Sequence, residues 1–439
     1  MSLEEIKDLK FDLKDPSLLD KIADSFNEKI VGETNNKKIL FLACLSKDLP
    51  DKHRMSAFIS SGSSAGKSNI ANRILDAFSE DVIEYTAFTD SHYMRKHGNS
   101  SLDGKIIKIE QMEKENKEGQ ADLFKLKHQL SEGKTKTGLS ERNEETGKWE
   151  AKDMIVYGYP VFISTTTNPE IQIETINRLF LIELDESKGQ TARITKQTLN
   201  EYSTLKKENT WGIQITEIKK LVDIYKKRAR EIESVIIPFA EKLEKLFPNS
   251  NMELRRDLKK ILNLTCVIAF SHFANRKAIS EVKKVAKDQY ELQEEFRYHL
   301  IADVEDFQEA LKIGKDVIKQ TMNKVNSTTM TIIDIVKQLD NLSDGNGCEI
   351  SQISNELGYS QNRMRELMKQ GIEAGLILTK RNEHNKYSYF PSAKPIQTVL
   401  DNSIEFTDSE FDEWFENTTR EQGRKYKLTT PKTLIHIPS

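Results

Sequence analysis

Ser56-Ala57-Phe58-Ile59-Ser60-Ser61-Gly62-Ser63-Ser64-Ala65-Gly66-Lys67-Ser68 is the stretch that decides the fold. Its first five residues form a short apolar run closed by turn residues, the pattern of a buried strand. Beyond Lys67, the residues Ile70, Ile74, Leu75 and Phe78 recur at helical spacing on one face. A strand, a glycine-rich loop and a helix in that order make the setting a phosphate-binding loop requires. Gly62 and Gly66 allow backbone N–H groups to turn inward around phosphate oxygens, and the helix N-terminus adds a favourable dipole. Lys67 is placed to reach the β and γ phosphates, and the Ser68 hydroxyl to ligate magnesium. The usual pattern opens on glycine, where this chain has Ser61. A loop that merely turns the chain would not need the strand before it and the helix after it. Ser61, Gly62, Ser63, Ser64, Ala65, Gly66, Lys67 and Ser68 are therefore the expected site for a nucleoside triphosphate, ATP with Mg2+.

Four more apolar runs lie outward from this one, at 82–86, 105–109, 160–165 and 179–184, with helical patterns between them. Alternation of this kind predicts a largely parallel sheet covered on both faces. The run at 105–109 ends in Glu110, an acid that can hold magnesium through water. Gln111 follows, where a second acid would polarise the attacking water; glutamine matches glutamate in shape but accepts no proton. Two explanations stand. Gln111 is natural and Glu113 or another acid substitutes, or it is a Glu→Gln replacement that traps a bound state.

The chain has 439 residues, enough for two or three domains, with 37% hydrophobic and 31% charged residues and a net charge of −3. That balance argues against indiscriminate coating of nucleic acid, so such contacts must come from local basic patches. Cys44, Cys266 and Cys348 lie far apart in no metal-like spacing, which fits a reducing compartment. An acidic N-terminus and the lack of a long apolar run lead us to expect a cytoplasmic protein with no membrane partner. The composition divides the chain into a lead-in (1–28), an α/β core (29–196), a segment reading as nearly all helix (197–327), a module at 328–392 and a tail at 393–439.

Two further patterns bear on partners. Around 128–158 a helix end leads into alternating residues, a turn at Thr146-Gly147, and more alternation, a hairpin by pattern. Its charges nearly balance, and Lys148 and Trp149 near the tip are the candidates for DNA, by phosphate pairing and base stacking. A plain surface ribbon is the competing reading. In 328–392, three short helical patterns precede a second hairpin pattern. The third helix, 361–373, is capped by Ser360 and presents Arg363, Arg365 and Lys369, residue types that read base edges. A structural or regulatory role competes with DNA contact there.

These elements together resemble the AAA+ ATPases. Phe162-Ile163-Ser164-Thr165-Thr166-Thr167-Asn168-Pro169 resembles the sensor 1 strand, with Thr167 or Asn168 at its tip. Asn177-Arg178 looks like the arginine-finger position, although Arg178 could simply cap a helix. Leu254-Arg255-Arg256-Asp257 is similar to the sensor 2 element, with Arg255 and Arg256 not distinguished and a solvated helix start the alternative. A hairpin just before sensor 1 is shared with the minichromosome maintenance (MCM) helicases and several viral helicases. The stretch from about 31 to 194 resembles the MCM-like replication helicases of phages, plasmids and other mobile elements, and 328–392 resembles a winged helix.

The resemblance implies an AAA+ core with a pre-sensor 1 hairpin, an all-α lid and a C-terminal winged helix. It also implies a homo-oligomer, a hexameric ring, that hydrolyses ATP and pulls a single strand or fork through its channel in a prokaryotic or viral host cytoplasm. An origin-binding initiator that uses ATP as an assembly switch is the first alternative, and a regulatory or defence ATPase the second. No segment resembles the large N-terminal domain of chromosomal MCM proteins.

Overall fold

The computed structural model describes residues 9–62, 66–86, 90–110, 128–142, 149–166, 179–203, 210–246, 254–286, 292–323, 327–343, 345–373, 377–381, 387–391, 404–420 and 426–429. The chain divides into two compact units. One is Met1–Glu241 with Lys259–Ile313 and Glu405–Ser439; the other is Lys242–Leu258 with Gly314–Ile404.

The first unit begins with helix α1 (Leu18–Ser25), which buries Leu18, Leu19 and Ile22 beside α2 (Thr34–Leu45). Ile39 to Leu45 of α2 are apolar on every face, and the helix is accordingly buried all round. Seven strands follow: β1 (Ala57–Ser60), β2 (Val82–Tyr85), β3 (Ile106–Ile109), β4 (Lys134–Arg142), β5 (Trp149–Tyr157), β6 (Val161–Thr166) and β7 (Phe180–Glu183). Five of them make a parallel sheet in the order β2-β3-β6-β1-β7. All five predicted apolar runs are thus strands of one sheet. β1 sits between two neighbours and is buried at all four positions, as its continuous apolarity requires.

The helix that leaves the glycine-rich loop, α3 (Lys67–Leu75), buries Ile70, Ala71, Ile74 and Leu75. Helix α4 (Asp90–His97) covers one sheet face. Tyr93 and Met94 pack there with Ile107, Ile109, Phe162 and, from β5, Met154 and Val156.

β4 and β5 pair antiparallel from Lys134–Tyr157 out to Arg142–Trp149. The base of this hairpin is tied down. The Tyr157 N–H donates to the Ser100 carbonyl, the Leu102 N–H to the Tyr157 carbonyl, and the Gln129 amide to the Gly158 carbonyl at 2.5 Å. Gly133, at φ 62°, must be glycine, because a Cβ there would lie 2.2 Å from the Tyr159 ring.

Helices α5 (Lys188–Ser203) and α6 (Thr210–Ala229) follow, as the helical pattern predicts. The expectation of an all-α lid then fails. β8 (Ile232–Ile236), β9 (Ala278–Ala286) and β10 (Leu292–Ile301) form a sheet, with helix α7 (Leu254–Ser271) between β8 and β9. The cause is a misleading period. Ala278, Val282 and Ala286 on β9, and Leu292, Phe296 and Leu300 on β10, recur every four residues as a helix would have it. Pairing of the two strands with each other, and of β10 with β8, overrides that local pattern. The tail supplies the fourth strand. Lys427–Thr429 pairs with β9, and a helix at Asp408–Arg420 lays Phe411 against Ile279 and Ile301.

Asp81, just before β2, gathers three lysines: Lys47 at 2.8 Å, Lys105 at 3.1 Å and Lys226 of α6 at 2.8 Å. Burial alone would raise its pKa, but the hydrogen bonds from Lys226 and Lys47 outweigh that and hold the carboxyl far below the usual range. This cluster fastens α6 to the sheet.

In the second unit, α8 (Ser327–Leu342), α9 (Ile350–Leu357) and α10 (Gln361–Glu373) precede the antiparallel pair β11 (Ile377–Arg381) and β12 (Tyr387–Pro391). Ile332, Val336, Ile353, Met364, Leu367 and Tyr389 fill their shared core. Glu349 and Gln352 form a capping box on α9, and Gly358 ends it in the left-handed conformation. All three cysteines are buried and free.

Candidate functional site

The connection after β1 runs to β2 on one side, while the connection after β6 crosses to β7 on the other. Adjacent strands whose connections leave in opposite directions open a crevice at their carboxyl ends, where α/β sheets bind ligands. The glycine-rich loop stands at that place. Gly66 has φ 91° and begins α3, so the chain enters the helix through a conformation that a side chain would strain. Lys67 is buried, and its Nζ donates to the carbonyls of Ser61 at 2.7 Å and Gly62 at 2.5 Å. Burial lowers its pKa, opposed by the nearby Glu186 carboxylate. Ser68 is exposed in the first turn of α3. Ser63, Ser64 and Ala65 lie outside the described residues.

Glu186, which follows β7, was not foreseen as part of this loop. Its Oε1 accepts from the Ser61 hydroxyl at 2.6 Å and from the Gly62 N–H. The loop therefore already presents donors to an anionic oxygen, the property a phosphate site needs. Glu186 also lines a depression of about 600 Å³ with Lys188, Thr191, Ala192, Thr195, Lys196 and Leu199, a volume within the range of small-ligand pockets. No local pattern could have flagged Glu186, because its partners stand 124 and 125 positions earlier.

Glu110 stands at the end of β3, where the sequence predicts the metal-holding acid. Its Oε1 receives the Lys108 ammonium at 2.9 Å. Ser164 of β6 donates to the Ile109 carbonyl at 3.0 Å and fixes β6 against this end of β3. Among the described residues, no group of three or more His, Cys, Asp or Glu could hold a metal ion by itself. Gln111, Asn168 and Arg178 lie outside the described residues, as does Lys148. Trp149 opens β5, and Arg255 and Arg256 lie in the first turn of α7, but their side chains are outside the description. Arg363, Arg365 and Lys369 are exposed on α10. Arg363 pairs with Glu366 at 2.9 Å, and Arg365 donates to Asn362 at 2.9 Å. Among the described residues, no helix is long and apolar enough to cross a membrane.

No family model matches the chain, and no curated protein matches its sequence. Three solved structures are similar to it in shape. A full-length MCM homolog from Methanopyrus kandleri is 12% identical, with a TM-score of 0.44, over 73% of this chain and 62% of that one. A putative ATPase from Cytophaga hutchinsonii is 10% identical, with a TM-score of 0.34, over 70% of this chain and 93% of that one. The NrS-1 C-terminal region is 11% identical, with a TM-score of 0.25, over 88% and 78%. The chain thus spans less than two thirds of the MCM homolog it matches. Likenesses this distant carry no weight for function, which rests on the chain's own residues. By those residues, the first unit holds a five-stranded parallel sheet with a glycine-rich loop at its switch point.

Proposed function

We propose that this chain binds and hydrolyses ATP as an AAA+ motor related to the MCM-like helicases, and works as a ring on DNA. The observation that carries the first half is the loop itself: left-handed Gly66, buried Lys67 and a carboxylate already seated on Ser61 and Gly62. On nucleotide binding, Lys67 leaves the two carbonyls for the β and γ phosphates. Magnesium would be held chiefly by the phosphates, with Ser68 and, through water, Glu110, since the described residues offer no acid cluster for it. When bound, the ion would neutralise charge developing on the transferred phosphoryl group. Gln111 cannot accept a proton, so this chain holds ATP better than it turns it over. Asn168 is the proposed sensor 1 tip, Arg178 the finger for a neighbour's site, and Arg255 or Arg256 the lid contact.

The second half rests on the β4–β5 hairpin, whose base is locked to the core; Lys148 and Trp149, beside the turn in the sequence, are the proposed DNA contacts. A hairpin rigid at its root can transmit movement of the sheet to a strand of DNA. The chain is read as a homo-oligomer, with ring size open, serving replication of a mobile or viral element in the cytoplasm. The test is strand displacement by the Gln111→Glu protein, with Lys67→Ala as its inactive partner. ATP-dependent unwinding by the first alone supports the motor. Sequence-specific binding without unwinding would instead favour an initiator, a reading to which exposed Arg363, Arg365 and Lys369 on the winged-helix-like unit lend support.

A further inference from the structure

β3 contains a residue that its environment does not call for. Ile106, Ile107 and Ile109 are buried and apolar, yet Lys108 between them is buried too, its side chain 4% exposed. A buried ammonium persists only where carboxylates answer it. Lys108 meets Glu110 at 2.9 Å and, across the β2–β3 pairing, Glu84 at 3.4 Å. Glu84 is largely exposed, at 62%, and so screened by water, which leaves Glu110 the stronger partner. Residues i and i+2 of a strand share a face, so this contact follows from the backbone and holds the Glu110 carboxylate in one place.

We infer that Lys108 is a positioning residue for Glu110 that stands in for part of the metal's charge at the nucleotide site. The inference rests on the nucleotide reading above. An unneutralised carboxylate at the end of β3 would repel a triphosphate until magnesium arrived. Lys108 cancels that charge beforehand, so nucleotide binds with a weakened requirement for metal. The same pairing draws Glu110 away from the ion, so magnesium is held less tightly than it would be by a bare acid. Removing the ammonium should therefore move two quantities in opposite directions.

The experiment measures binding of a fluorescent ATP analogue to the full chain, once in chelator and once across a magnesium titration. In Lys108→Met, which keeps most of the buried stem, metal-free affinity should fall about tenfold, the scale of one uncompensated charge at short range. Magnesium affinity should rise, seen as a lower concentration for half-maximal effect. Lys108→Arg should restore both. In a Glu110→Gln background, Lys108→Met should leave the magnesium requirement unchanged, because the carboxylate for which ammonium and metal compete is gone. A misfolded or loosened site would instead weaken both quantities together, and that outcome overturns the inference, as does a Lys108→Met protein indistinguishable from wild type. Lys67→Ala separates the two failures. If wild type binds and Lys67→Ala does not, an unmoved metal requirement sinks only the role of Lys108. If wild type does not bind, or Lys67→Ala binds equally well, the nucleotide site itself is wrong and both readings fall.

Discussion

His53 offers a sharp test of how the first unit is joined. It lies in the turn before β1, is 5% exposed, and its Nε2 accepts the backbone N–H of Val235 on β8 at 3.2 Å. Val235 sits on an outer strand of the second sheet, so His53 satisfies a donor that the β-ladder leaves open. Burial, with a smaller push from Lys52, lowers its pKa from 6.5 to about 4. The neutral ring is the form the fold accepts. As pH falls below 6.5 the unfolded chain takes up this proton first, so it binds more protons than the folded chain and stability drops with pH. The loss accumulates down to about pH 4, over a span of about 2.5 pH units at about 1.4 kcal/mol each, or about 3 kcal/mol in all. His53→Gln keeps an acceptor for Val235 and removes the titration. Urea unfolding of both proteins, followed by circular dichroism at several pH values between about 7.5 and 4.5, isolates the term as the difference between them. Wild type should lose stability on acidification more steeply than His53→Gln. Parallel profiles would show that His53 titrates alike in both states, and the buried joint would have to be abandoned.

Three other outcomes follow from particular contacts. Asp81→Asn leaves Lys47, Lys105 and Lys226 around a neutral amide and should destabilise the first unit by on the order of 3 kcal/mol, read as a lower melting temperature; an unchanged melt would refute the cluster's role. Truncation before residue 404 strips the cover from Ile279 and Ile301 and leaves β9 unpaired along one edge, so the shortened chain should melt lower and associate at rising concentration by light scattering. A monodisperse truncation with the full chain's melt would show that the tail is dispensable. Glu186→Gln removes a negative charge beside the loop and should tighten nucleotide binding several-fold in fluorescence titration; equal or weaker binding would show that the carboxylate is no competitor.

What was legible in the sequence was what short range dictates. The inner strands β1 and β6 announced themselves because both faces of a central parallel sheet are buried, and burial leaves a run free of charged residues. The glycine-rich loop was legible because only glycine takes the φ of 91° found at position 66. The hairpin showed through alternation. What stayed hidden depends on distance along the chain. β9 and β10 carry apolar residues at helical spacing; they pair with each other across a short connection, and their outer edges are closed by β8 and the tail strand, both distant in sequence. Glu186 gives no local sign, since its meaning lies wholly in the loop it touches. Lys108 passed unmarked within an apolar run, and its contact with Glu84 is fixed only by the register between β2 and β3.

The charges at the proposed site bear on assembly as well as binding. Lys67 and Lys108 face Glu110 and Glu186, with Glu84 beyond them, so the site is short of positive charge even before ligand arrives. A magnesium-bound triphosphate adds further negative charge. Lys67 can be released from two carbonyls to meet it, but Lys108 is engaged with Glu110, while Lys188 and Lys196 stand on the rim of the depression that Glu186 lines. On the proposed reading, an arginine from a neighbouring copy, Arg178, adds the further positive charge. Nucleotide binding and self-association are then linked, each strengthening the other by the same factor. Sedimentation of the chain with and without ATP and magnesium reads that link directly. Nucleotide should shift the chain toward the oligomer, and Arg178→Ala should abolish the shift while leaving single-site binding weaker but present. A chain that binds nucleotide with no change in its association state would mean that the missing positive charge is supplied within one copy, and the shared site would be ruled out.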